Sequence, residues 1–361
     1  RDVAADGVLA TNALPKSGGT MTGNIATKGI SSVTLGTGNF VAGDTAGDSI
    51  VSGGNYNTLV GSAAGTATTT GDYNSALGRN ALGSNTTGAS NVAVGRNTMF
   101  TNTTASNNTA VGDSALYTNT TGDSNVAVGY SSLYSNTTAT NNTAVGKSAL
   151  SANTTGASNV AVGKSALAAN TTGPYNTSVG ADSLDANTTG SANTALGFKA
   201  LGANTTASNN TAVGADSLDA TTTGSYNTAL GAASLSGNTT GAENTAVGFR
   251  SLLSNTTASG NTGLGYTALQ SNTTGAGNTA SGFEALKVNT TGNNNTASGY
   301  QALKNNSTAS RNTAVGTSAM LANTTGTLNV ALGSYALRFN TNGNENTAVG
   351  DAALYANTTG E

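Results

Sequence analysis

Asn142-Thr143-Ala144-Val145-Gly146-Lys147-Ser148-Ala149-Leu150-Ser151-Ala152-Asn153-Thr154-Thr155-Gly156-Ala157-Ser158 is followed, at Asn159, by the same unit again. The opening Asn recurs every seventeen residues, eighteen times from Asn57 to Asn346, with no insertion or deletion. The unit is N-T-A-V-G-x-x-A-L-x-x-N-T-T-G-x-x, with positions numbered as slots one to seventeen. A fixed short period is the mark of a solenoid or fibre. Seventeen residues are too few for a pair of helices. They suffice for one coil of two or three short strands joined by tight turns. The period therefore predicts an all-β fold, a parallel β-solenoid or β-roll of 17-residue coils.

The slots divide by how much they vary. Slot five is Gly in all eighteen coils, and slot fifteen is Gly in thirteen and Ala in five. The invariant Gly implies a positive φ or a close backbone approach. Slots one to four read as a strand, with β-branched residues alternating at slots two and four. Slot three is Ala in fifteen coils, the exceptions being Leu59, Ser178 and Gly263. Slot nine is Leu fifteen times and Met twice, and slot twelve is Asn in sixteen coils. Slots thirteen and fourteen are almost uniformly Thr. Slots six, seven, ten, sixteen and seventeen vary freely. The expectation is that fixed slots lie inside and variable slots face solvent.

Composition narrows the chemistry. The chain of 361 residues has no Cys, His or Trp, is 8% charged and carries a net charge of −3. Disulfide and thiol chemistry is absent. There is no basic patch for nucleic acid and no apolar run long enough to span a membrane. Nucleophilic triads and the usual zinc sites lose their His and Cys candidates. A carboxylate pair remains, Asp182 with Asp185 and, at the same slots two coils later, Asp216 with Asp219. Such a pair could hydrolyse glycosides, but these acids stand in variable slots and read as solvated. No metal or cofactor site and no enzyme activity is expected. N-T-T at slots twelve to fourteen matches the glycosylation sequon, yet a stacked Asn has no room for a glycan.

Outside the array, residues 1–38 do not repeat and read as an adaptor or linker. Residues 39–56 read as a degenerate capping repeat, because Asn39-Phe40-Val41-Ala42-Gly43 mimics the strand but lies eighteen residues before Asn57. Residues 57–361 are the array. Leu14-Pro15-Lys16-Ser17-Gly18-Gly19-Thr20-Met21-Thr22-Gly23-Asn24-Ile25 closely resembles the LPxxGGTMTGxI signature of bacteriophage tail-fibre proteins. The array resembles repeats of phage tail fibres, which often precede a cleaved C-terminal chaperone of the endosialidase type. Its N-T-A-V-G strand is similar to the N-S-V-A-I-G strand in the heads of trimeric autotransporter adhesins, whose period is shorter. A unit opening at Asn346 would need one residue beyond Glu361, so the C-terminus is expected to be a cut in a longer chain.

The core looks thin for the seventeen residues ordered per coil, with large apolar residues only at slots four and nine. Slot three points opposite to slot four on a strand. Its constancy predicts a second covered face, against another chain. The resemblance implies a homotrimeric rod, located in the virion, joined to other tail proteins through the N-terminal segment and contacting a host surface glycan or protein. The expected function is the structural shaft of a tail fibre that contributes to host attachment. The alternatives are an ice- or surface-binding Thr-rich solenoid, or a bacterial trimeric adhesin. Two aromatic runs are the candidate surface-binding residues. Phe249, Tyr266, Phe283 and Tyr300 occupy slot six in four consecutive coils, and Phe100, Tyr117 and Tyr134 occupy slot ten in three. Adjacent strands lie about 4.8 Å apart, so each run should stack as a ladder. Aromatic faces suit sugars, with Glu284 and Gln301 nearby to supply hydrogen bonds.

Overall fold

The computed structural model describes residues 30–31 and 36–360; the Leu14–Ile25 signature lies outside them. It is a parallel β-solenoid with one three-residue strand per coil at slots two to four. The strands run from β2 (Phe40–Ala42) and β3 (Thr58–Val60) to β20 (Thr347–Val349), and the described residues include no helix. Each strand pairs in parallel with the next in strict register, as in Thr143↔Val160, Ala144↔Ala161 and Val145↔Val162. β1 (Ile30–Ser31) pairs antiparallel with β2 and covers the N-terminal edge of the sheet.

One strand per coil, rather than two or three, follows from the backbone. Slots seven, nine and seventeen are left-handed throughout the array, as in Ser148 (φ 58), Leu150 (φ 51) and Ser158 (φ 59). Slot five is more extreme, with Gly146 at φ 134. An extended run cannot pass through these positions. The turns nevertheless stack, because their amides bond carbonyls one coil away, as in Leu150 N–H to Ala166 O (3.0 Å) and Thr154 N–H to Thr171 O (2.9 Å).

The core holds slots one, three, eight, nine, twelve and fifteen. Ala144, Ala149, Leu150, Asn142 and Asn153 are all fully buried. This inverts the expected strand facing. Slot three points into the core, while slots two and four point outward, so Val145 is half-buried and Leu77 is 53% exposed. The slot-nine Leu fills the centre of each coil and leaves room for only a small side chain on the strand. The first two coils show the same constraint in reverse. Their slot-nine residues are Gly47 and Gly65, and their slot-three residues are the larger Val41 and Leu59. A Cβ on Gly65 would lie 2.7 Å from Leu59 Cδ1. The segment opening at Asn39 is thus a stacked coil, one residue longer than the rest. Asn39 Oδ1 accepts the Asn57 amide at 2.8 Å, and Ile50 is buried where later coils carry Asn.

The two Asn columns are the polar half of the core. At slot one, Asn142 Oδ1 accepts the backbone N–H of Asn159 at 2.9 Å. At slot twelve, Asn170 Nδ2 donates to Asn153 Oδ1 at 2.9 Å. The amides of Asn159 and Asn170 both donate to Gly173 O at 3.0 Å. Most buried polar groups of one coil are thereby satisfied by its neighbour, as burial requires; Asn142 Nδ2 and Asn204 Oδ1 are exceptions. Fixed slots are not all inside, however. Thr154 is half-buried and its hydroxyl donates to Thr171 O at 3.0 Å, whereas Thr155 in slot fourteen is exposed. Slot thirteen is constant because its hydroxyl caps a carbonyl of the next coil.

Candidate binding surface

Slots six, seven and ten lie on the turn segment that follows the invariant Gly, and they carry the individuality of the rod. The predicted slot-six run stacks. Ring centroids are 5.6 Å apart for Phe249–Tyr266, 5.3 Å for Tyr266–Phe283 and 5.2 Å for Phe283–Tyr300. All four rings are exposed, with Tyr300 at 51%. The slot-ten run stacks too, at 5.5 Å for Phe100–Tyr117 and 5.1 Å for Tyr117–Tyr134, with Phe100 and Tyr117 half-buried. The spacing follows from the strand separation, and such pairs add about 0.5–1.5 kcal/mol beyond burial.

Stacking changes what these surfaces can bind. Rings 4–22° from parallel cover one another's faces and turn their edges outward. Inside each ladder, no face is left for a flat ligand. At the start of the slot-six run, the Arg250 guanidinium lies 4.9 Å from the Phe249 centroid.

Glu284 and Gln301 are committed to each other. Gln301 Nε2 donates to Glu284 Oε2 at 2.9 Å, and Lys287 and Lys304 Nζ reach the same carboxylate at 2.6 and 2.7 Å. The hydrogen bonds from Lys287 and Lys304 hold the Glu284 carboxyl down at about 2. The cluster is a brace between two coils rather than a free hydrogen-bonding edge.

The acid pairs behave differently from solvated carboxylates. Asp185 and Asp219 come from coils on either side of Gly202. A Cβ on Gly202 would lie 2.8 Å from Asp219 Oδ1 and 3.6 Å from Asp185 Oδ1. Partial burial raises both carboxyls, reinforced by Asp182 beside Asp185 and Asp216 beside Asp219; Lys199 offsets part of the effect at Asp219. Among the described residues, no group of three or more acids is arranged to hold a metal ion.

Two further features escaped the sequence reading. Tyr56 and Tyr73, each the last residue of its coil, stack at 5.2 Å and are more than half exposed. Both immediately precede an anchor Asn, which was the signal. A shallow hollow of about 520 Å³ lies on the turn flank, lined by Ser114, Tyr130, Ser131, Tyr134, Ser135, Ser151 and Ala152.

The slot-twelve Asn of every N-T-T but the last is fully buried, as at Asn153 and Asn170, so a glycan has no access there; Asn357, in the terminal coil, is half-buried. No family model and no curated protein matches the chain. Among the described residues, no helix is long and apolar enough to cross a membrane.

Proposed function

We propose that this chain is the shaft of a phage tail fibre, a passive rod that sets distance and contributes to attachment at a host surface. The observation that carries the reading is the outward face of the sheet. Slots two and four form a strip of Thr, Val and Leu along nineteen parallel strands, opening on Phe40 and Ala42 and interrupted by Ser at Ser75, Ser281 and Ser298, with Leu77, Leu196 and Leu230 at about half exposure. Eighteen strand spacings of about 4.8 Å give a strip about 86 Å long. With a width of about 10 Å it offers on the order of 900 Å² per chain, close to the ~800 Å² per partner of a standard interface. A partly exposed strip of that size, with Val and Leu along most of slot four beside the Thr of slot two, fits a contact surface. A second and third copy, with their strips facing a common axis, cover it. Three copies accord with the resemblance to trimeric fibres.

The test is the native particle. Sedimentation and imaging should give a trimeric rod, and Val145→Arg with Val213→Arg should yield folded but dissociated chains. A folded, monodisperse monomer of the native sequence at micromolar concentration would refute the assembly.

One observation favours a second reading, an ice- or surface-binding solenoid. The slot-fourteen Thr column, from Thr70 through Thr155 to Thr325, is exposed, and its hydroxyls make no hydrogen bond with other described residues. Thermal hysteresis of the purified protein separates the readings: a freezing-point gap supports the second, and its absence removes it.

A further inference from the structure

We infer that the hollow beside Tyr134 is a binding subsite for one neutral pyranose unit of a glycan. It takes the attachment part of the proposed function as its setting and gives it a place on the rod. Tyr134 ends the slot-ten ladder. One face stacks on Tyr117 at 5.1 Å, nearly parallel at 4°. The next occupant of the column is Ser151, whose side chain is too short to cover the other face, and both residues line the hollow. Tyr134 therefore has what the inner rings lack, an aromatic face open to a ligand.

The rest of the lining suits a polyol. Ser131 and Ser135 line the hollow, and their hydroxyls make no hydrogen bond with other described residues. Each can donate once and accept twice. Tyr130 also lines the hollow, with Lys147 Nζ 5.9 Å from its ring centroid. That contact occupies the lysine with an aromatic partner. Asp113, the acid beside the lining residue Ser114, is tied to Arg96 at 2.8 Å and to the Ser114 hydroxyl at 2.7 Å. The seven lining residues carry no charge, so the site selects hydroxyl groups and C–H faces rather than carboxylates. A volume of about 520 Å³ lies within the ~300–1,000 Å³ of small-ligand sites. The hollow is open, so a pyranose within a longer chain can enter with its neighbours outside.

The experiment is saturation-transfer NMR on the full chain with methyl glycosides of glucose, galactose, mannose and N-acetylglucosamine, with methyl glucuronoside and sialic acid as charged arms. At least one neutral glycoside should receive saturation. Tyr134→Ser should reduce that transfer at least tenfold. Ser151→Tyr, which extends a ladder the fold already accepts, should abolish it while leaving the melting temperature unchanged or higher. Tyr300→Ser, on the other ladder, should leave it intact. Absence of transfer to every neutral glycoside, transfer confined to the charged sugars, or undiminished transfer in Ser151→Tyr would each overturn the assignment. The shaft reading is judged separately, by particle shape.

Discussion

Thr221 shows how much one residue matters in a column. It replaces Asn in slot twelve, and its hydroxyl donates to Asn238 O at 3.2 Å. Asn204 Oδ1, which should accept an amide from this position, is buried without a partner. A buried unsatisfied acceptor costs about 1–3 kcal/mol. Thr221→Asn should therefore stabilise the surrounding coils by about 1–2 kcal/mol, read as slower amide exchange from Asn204 to Asn238. Unchanged exchange would show that the ladder contributes nothing locally. The slot-five Gly is constrained in another way. A Cβ on Gly146 would sit 2.4 Å from Gly163 O, at a φ of 134 that side-chain-bearing residues avoid. Gly146→Ala is expected to open the stack there by at least about 2 kcal/mol. Slot fifteen lacks this positive φ, which is why Ala139 and Ala207 fit.

At the scale of a coil, charge tunes stability in opposite directions. Glu284 is held at about 2, below its ordinary 4.5. Its contribution is complete above about pH 4.5 and is lost as pH falls from there toward 2; solvent screening cuts the roughly 3 kcal/mol of the full shift to about 1–2 kcal/mol. Glu284→Gln should remove that dependence from the coils opening at Asn278 and Asn295, measured by amide exchange against pH. Asp219 carries a raised carboxyl, so its ionised form is the unfavourable one. Asp219→Asn should raise the melting temperature near neutrality, and the gap should close below about pH 3.8, where both states hold the proton.

The period, the invariant Gly, both Asn columns and both aromatic ladders were legible in the sequence, because each depends only on register. Strand facing was not. A three-residue strand has two solutions related by a one-residue slip, and hydrophobicity alone favours Val145 over Ala144 as the inward residue. The deciding signal was a coincidence: Leu59 and Gly65, each an exception in its own slot, stand in the same coil. Large-with-absent and small-with-large pairs mean that the two slots share one space. The hollow beside Tyr134 was hidden because it depends on the short side chain of Ser151, one coil past the last ring, rather than on the rings themselves.

As a whole molecule, the rod separates a uniform frame from a variable flank. The inner slots and the strand face repeat, while slots six, seven and ten change. Lateral assembly and ligand binding should accordingly respond to different substitutions. Ala144→Arg, now placed in a filled core, should unfold its coil rather than release a partner. Val145→Arg should release a partner and keep the coil, and circular dichroism with sedimentation distinguishes the two.

The exchange of bulk between slots three and nine in the first two coils has a consequence for how the chain finds its fold. Ordinary coils present nearly identical surfaces above and below, so during refolding one coil can dock on the wrong neighbour at little cost. The coils opening at Asn39 and Asn57, with Val41, Gly47, Ile50, Leu59 and Gly65, fit only each other in this way. They give the growing stack an unambiguous origin from which alignment is counted. Converting the second of them to an ordinary coil, by Leu59→Ala with Gly65→Leu, should leave the frame intact but make refolding slow and multiphasic. Single-exponential refolding of that variant would show that the stack needs no such origin.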